Sequence, residues 1–198
     1  MSSDAPPTRT RILETTLNLV GSGSSKTRMS DIAKAAGISR QALYLHFQSR
    51  ADLLIAATRH LDTIKDVDAR MAASRAAATG QARLTAFVKA WGDYIPEIYQ
   101  CALALRAMRA DDPEAAAALD DRMQAVREGC AAAVAALDTD AALRPELSKE
   151  TATDIIWTML SVETWEQLTQ QCGWAQDQYI ALMQALTARA VCREDYHT

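Results

Sequence analysis

From Thr8 to Ala190 the apolar residues of this chain recur at intervals of three and four, and no stretch sustains an apolar–polar alternation rich in β-branched residues. That period lays an apolar stripe along a helix, whereas a half-buried strand needs a period of two. The predicted fold is therefore all-α, with about nine helices. The first carries Ile12, Leu13, Leu17 and Val20 and stops at Gly21-Ser22-Gly23-Ser24-Ser25. A short second helix with Met29, Ile32, Ala33 and Ala36 ends at Gly37. A third starts behind Ser39, a good N-cap residue, and sets Leu43 and Phe47 on one face. A longer helix is expected from about Ala51 to about Ala77. Thr79-Gly80 opens the next; Pro96 is expected to end it and to start another that runs to about Ala110. Asp112-Pro113-Glu114 has the cap, first-turn proline and acidic charge of a helix start, and the alanine-rich helix behind it ends near Leu137. After a loop from Asp138 to Leu147, Ser148 caps a helix that closes near Gly173, and a last helix carries Tyr179, Leu182, Met183 and Leu186.

A chain of 198 residues, 49% of them hydrophobic, can bury a core without disulfide staples. Its longest apolar run, Cys130 to Leu137, falls well short of the roughly 18–20 residues that a membrane span needs. The opening MSSDAPPTRT lacks the apolar segment of a signal peptide. The four cysteines form no CxxC pair and no metal-ligand spacing with the three histidines. Buried structural thiols, no metal, no cofactor and a reducing cytoplasmic setting are the expectations. His60 and His197 read as surface or packing residues. Charge is the uneven property. Residues 1–50 hold seven Lys/Arg against three Asp/Glu, a net of +4, whereas residues 51–198 hold fourteen against twenty-two, a net of −8. A small basic head on an acidic body implies that the head alone meets a polyanion.

The stretch from Met29 to Arg50 supplies what a helix-turn-helix requires: two short helices crossing closely, a tight turn, and a second helix free to enter the major groove. Ala33 is small at the crossing, Gly37 suits a left-handed turn, and Ile38 plugs that turn into the core. With Leu43 and Phe47 pointing inward, Arg40, Gln41, Tyr44 and Leu45 point outward. Arg and Gln can make bidentate contacts to base edges, Leu45 can meet a thymine methyl, and Ala42 lets the backbone approach the groove wall.

The segments Asp31–Ser39 (DIAKAAGIS) and Leu43–Phe47 (LYLHF), with Arg50 and Leu53-Leu54, together resemble the TetR/AcrR family of bacterial transcriptional regulators. The resemblance implies a DNA-binding domain at residues 1–50 and an effector-binding and dimerisation domain at 51–198. It implies DNA contacts from Thr27, Arg28, Ser39, Arg40, Gln41, Ala42, Tyr44, Leu45 and His46, with Arg50 against phosphate. Two departures bear on these contacts. Arg28 stands where the family often has a Ser or Thr cap, so Thr27 can cap the second helix and free Arg28 for DNA. Ala42 replaces a common Thr, which removes one hydroxyl contact.

For the body, the resemblance places Trp91, Tyr94, Tyr99, Met108, Trp157 and Met159 in helices that line a ligand cavity. Such residues at helical spacing build plain core just as readily. Trp157 and Tyr94 stand out because each joins an apolar body to one hydrogen-bonding group, and a cavity of this composition suits a hydrophobic or aromatic effector. The last two helices are the expected dimer interface, with Trp165, Ala181, Leu182, Ala185, Leu186 and Ala188 contributing, and the homodimer would form a four-helix bundle. The expected partners are thus a double-stranded DNA operator, a small molecule and a second copy, with no membrane. An all-α enzyme is the competing class, but the chain shows no nucleophile–base pair or phosphate loop. A non-specific DNA-binding adaptor fits poorly with the acidic body.

Overall fold

The computed structural model describes residues 7–22 and 28–193, and every regular element among them is helical. Helices α1 (Thr8–Gly21), α2 (Met29–Ala35), α3 (Arg40–His46) and α4 (Arg50–Ile64) are followed by two single turns, α5 (Val67–Arg70) and α6 (Ala72–Arg75). Two long helices come next, α7 (Gly80–Met108) and α8 (Pro113–Thr139). The chain then forms α9 (Lys149–Met159), α10 (Val162–Glu166), a π-helical turn at Gln167–Gln171 and α11 (Gln176–Val191). These elements group into two compact units: Met1–Lys65 with Ile98–Arg122, and Asp66–Glu97 with Met123–Thr198.

In the first unit, α1 packs on α4 and α2, and α2 packs on α3. Ile12, Leu13, Met29, Ile32, Ala33, Leu43, Phe47 and Leu53 close into one buried cluster. Gly37 turns the chain between α2 and α3 at φ 67°, in the left-handed region that the turn demands. Ser39 Oγ accepts from the Ala42 amide at 3.0 Å and Ser49 Oγ from the Asp52 amide at 3.0 Å, so α3 and α4 each begin at a side-chain cap. Asp112 starts α8 the same way, its Oδ1 accepting from the amides of Glu114 and Ala115, each at 3.1 Å.

In the second unit, two glycines lie directly against neighbouring groups. A Cβ at Gly80 would fall 2.4 Å from the backbone nitrogen of Leu137, and one at Gly129 would fall 2.4 Å from the Phe87 ring. The loop after α8 is tied to the end of α11. Leu143 and Cys192 form an isolated antiparallel bridge, and the Arg144 guanidinium donates to the carbonyls of Arg189 and Cys192 at 2.8 and 3.1 Å.

Three helix boundaries differ from the sequence expectation. Pro96 does not end a helix, because α7 runs through it. A proline has no amide hydrogen, so the carbonyl four residues back, that of Gly92, loses its helical partner. Gln176 supplies the replacement, its Nε2 donating to Gly92 O at 2.7 Å while its Oε1 accepts from Trp165 Nε1 at 2.8 Å. The helix expected to reach Ala77 instead ends at Ile64, since Asp66 takes a left-handed backbone conformation (φ 53°) and caps α5 through its side chain. The helix expected from Ser148 to Gly173 breaks after Met159, where Ser161 Oγ caps a new start by accepting from the Thr164 amide.

Candidate DNA-binding and ligand sites

Helix α3 is seven residues long, and its buried side is Leu43 with Phe47 at the C-cap. What remains faces water: Arg40, Gln41, Tyr44 and Leu45 are exposed, Ala42 and His46 are half-buried, and Ser39 is exposed at the cap. Leu45, at 84% relative exposure, and Tyr44, at 41%, are two of the chain's exposed large apolar side chains. Covering Leu45 with an apolar partner would gain free energy in proportion to the area removed from water. Arg40 leans over the Tyr44 ring, 5.6 Å from its centroid, and reaches its hydroxyl at 3.5 Å. Four positions named from sequence spacing thus lie together on one open face.

The flanking positions divide. Arg28 is exposed at the N-cap of α2, and its backbone nitrogen donates to Asp31 Oδ2 at 3.4 Å. Thr27, expected to cap that helix, lies outside the described residues. Arg50, expected against phosphate, is paired within the chain. Its Nη1 contacts both Asp112 oxygens, at 2.9 and 2.7 Å, and Glu114 Oε2 at 3.2 Å, and its side chain is only 13% exposed. Two carboxylates already neutralise this guanidinium, which leaves little reason for it to seek a phosphate. Sequence reasoning also passed over Arg9. From the first turn of α1 it donates through Nη1 to the His46 carbonyl at 2.9 Å, with its guanidinium carbon 4.3 Å from the Phe47 ring centroid. No periodicity announces a contact between residues 37 positions apart.

The aromatic residues of the body are more occupied than their composition suggests. In the second unit Trp91 and Tyr94 are buried and meet edge to face, with centroids 6.1 Å apart. Trp91 Nε1 donates to the Leu160 carbonyl at 2.7 Å, and the Arg70 guanidinium lies 5.6 Å from the Tyr94 centroid. Trp157 is half-buried, and the N–H expected to greet a ligand donates to the Met123 carbonyl at 3.2 Å. Met159 is half-buried. In the first unit Tyr99 is half-buried and Met108 buried. Among the described residues, the buried hydroxyl without a partner belongs to a residue no motif pointed to, Tyr179, whose fully buried ring pushes its phenol pKa up by desolvation. An open groove of about 500 Å³ runs between α7 and α11, where Lys89, Asp93, Gln176 and Gln184 line it together with the apolar Ile180 and Ala181, and none of the aromatic residues named from the sequence lines it.

On α11, Ala181 and Ala185 are exposed, and Leu182, Leu186 and Ala188 are half-buried. Trp165 departs from the interface set. It is buried in its own chain, with its indole N–H held by Gln176, so it has almost no surface left to offer a second copy. Burial pushes the Cys101 thiol up to about 11, with the nearby Asp62 charge adding to it, and the Cys130 thiol up to about 12. Neither supplies a thiolate near neutral pH. Among the described residues no group of His, Cys, Asp and Glu is arranged to hold a metal ion, and no helix is long and apolar enough to cross a membrane.

Comparison with known proteins gives these arrangements a context. Residues 12–57 match the family described as bacterial regulatory proteins, tetR family. Over 51 residues the chain is 45% identical to the HTH-type transcriptional regulator AcrR of Shigella flexneri, a match that spans 25% of this chain and 24% of that relative. The solved structure of a transcription regulator from Shewanella sp. PV-4, assigned to the tetR family, superposes with a TM-score of 0.70 at 19% identity, covering 95% of this chain and 100% of the other. The transcriptional regulator FadR of Bacillus subtilis, solved in complex with stearoyl-CoA, superposes with a TM-score of 0.67 at 15% identity, covering 90% and 95%. At those identities the two structures share the fold.

Proposed function

We propose that this chain, a member of the TetR/AcrR family, is a sequence-specific transcriptional regulator that a small molecule releases from a palindromic operator. The observation that carries the reading is the open face of α3, where Arg40, Gln41, Tyr44 and Leu45 stand exposed on a head of net charge +4. Arg40 and Gln41 would read base edges, Leu45 would be covered by a thymine methyl, and Tyr44, Ser39, His46 and Arg28 would hold the backbone. Residues 1–50 would then form the DNA-binding head and 51–198 the body that senses and dimerises. Two copies joined through α11 and the helices before it would set their α3 helices about 34–36 Å apart, one turn of DNA. Such a protein would work in the bacterial cytoplasm, where its operator lies, and it would bind rather than transform its ligand.

The effector would be a hydrophobic or aromatic molecule held by the second unit's aromatic residues, with Tyr94, Trp91, Trp157 and Met159 as its lining. The stearoyl-CoA bound by a protein of this fold supports an apolar ligand class. Because the indole N–H groups of Trp91 and Trp157 already serve backbone carbonyls, these rings would contribute surface and not hydrogen bonds. Effector and operator must weaken each other by the same factor, a coupling typically worth about 1–3 kcal/mol.

The test is selection of duplexes from a randomised pool, followed by titration of the selected and a scrambled duplex at physiological salt. The selected sequence should carry two related half-sites and bind at least ~10³-fold tighter. Arg40→Ala or Gln41→Ala should cost about 1–3 kcal/mol and relax one position in each half-site. Equal affinity for both duplexes would overturn the reading.

A further inference from the structure

Resting on the DNA-binding reading above, we propose that Arg9 is a positioning residue for the recognition helix: from the first turn of α1 it clamps the C-terminal end of α3 and so fixes the angle at which Arg40 and Gln41 meet base edges. A helix of seven residues cannot hold its own shape in water, because nucleation is costly and only a few internal bonds repay it. Both ends of α3 must therefore be fastened from outside. Ser39 fastens the first, accepting from the Ala42 amide. At the other end the Phe47 amide donates to the Leu43 carbonyl, the His46 carbonyl lies past that last helical bond, and the partial negative charge of the helix terminus collects there.

Arg9 answers both needs with one flat group. Its Nη1 donates to the His46 carbonyl at 2.9 Å, and its guanidinium lies over the Phe47 ring with 4.3 Å to the centroid. Phe47 is the C-cap of α3 and belongs to the buried cluster of the head. The clamp thus joins the end of the recognition helix to α1 across 37 residues of sequence. A lysine could supply the charge but not the plane that bonds a carbonyl while stacking on a ring.

The experiment uses the full chain as wild type, Arg9→Lys and Arg9→Ala. Hydrogen exchange without DNA is read at the amides of residues 43–47, and each variant is titrated with the selected and the scrambled duplex over a range of salt. Positioning predicts faster exchange at the end of α3 in both variants. It also predicts about tenfold weaker binding to the selected duplex, equivalent to 1.4 kcal/mol, with binding to the scrambled duplex and the salt slope of Arg9→Lys unchanged. Four outcomes overturn it. Unchanged exchange in Arg9→Ala would show that the clamp orders nothing. Equal loss on both duplexes with a shallower salt slope would make Arg9 a phosphate contact. A lower melting temperature with intact operator affinity would make its role merely structural. If the wild type itself fails to prefer its selected duplex, the DNA-binding reading falls first, a failure visible before any variant is compared.

Discussion

Tyr179 buries its whole ring and leaves its hydroxyl without a partner. A buried polar group in that state loses its water and gains nothing in exchange, at a cost of about 1–3 kcal/mol. Tyr179→Phe should therefore stabilise the protein by about 1 kcal/mol, or roughly 2–4 °C in Tm for a chain of this size. Calorimetry checks it, and a fall in Tm would mean that the hydroxyl has a partner in solution. Asp121 shows the opposite economy. Hydrogen bonding from Arg59, aided by Arg122, holds its carboxyl below the usual range against the opposing effect of burial. A depressed folded pKa contributes stability that is present above the unfolded value, about 3.9, and is lost as pH falls through the folded value. Asp121→Asn should therefore be less stable than wild type at pH 7, with the gap closing on acidification below about pH 4. Denaturant unfolding at pH 7 and pH 3 measures this, and a gap that persists in acid would assign the loss to packing.

Helix α7 persists through Pro96 because a side chain from α11 takes over the missing bond. Gln176 donates to Gly92 O and accepts from Trp165 Nε1, so it satisfies a carbonyl and an indole at once. Gln176→Ala should cost about 1–3 kcal/mol by leaving both unpaired. Pro96→Ala would restore an amide to Gly92 O, so in that background the same change should cost less. The double-mutant cycle reads the difference directly, and additive costs would show that Gln176 and Pro96 act independently. This is where legibility in the sequence stopped. The all-helical fold, the Gly37 turn and the open face of α3 follow from spacing and turn chemistry, which are local. The continuity of α7, the burial of Trp165 and the pairing of Arg50 depend on residues 80, 11 and about 60 positions away, which no short window contains. Arg9 escaped notice for the same reason. A proline in a helical run remains a sound stop signal only where nothing distant can donate to the carbonyl it strands.

On the scale of the whole molecule, the proposed dimer depends on α11. Ala181 and Ala185 are exposed, with Leu182 and Leu186 beside them half-buried. Leu182→Glu with Ala185→Glu would place unpaired carboxylates in that interface and should yield a monomer in sedimentation, with operator affinity lost while the head stays folded. A dimer with full affinity would move the interface to another face. Arg50 carries a different consequence, for anyone who would splice this chain to another. The basic charge ends at residue 50, and a splice there looks natural. Yet Arg50 is fastened to Asp112 and Glu114, and the compact unit that contains it takes in residues 98–122, with edges inside α7 and α8 where no loop offers a seam. A chimera joining residues 1–50 to a foreign sensor would inherit the guanidinium without its two counter-ions and leave α1 without α4, the helix it packs on. Recombination should succeed only when residues 51–65 and the stretch from 98 to 122 travel with the head, as two separated pieces of one inheritance.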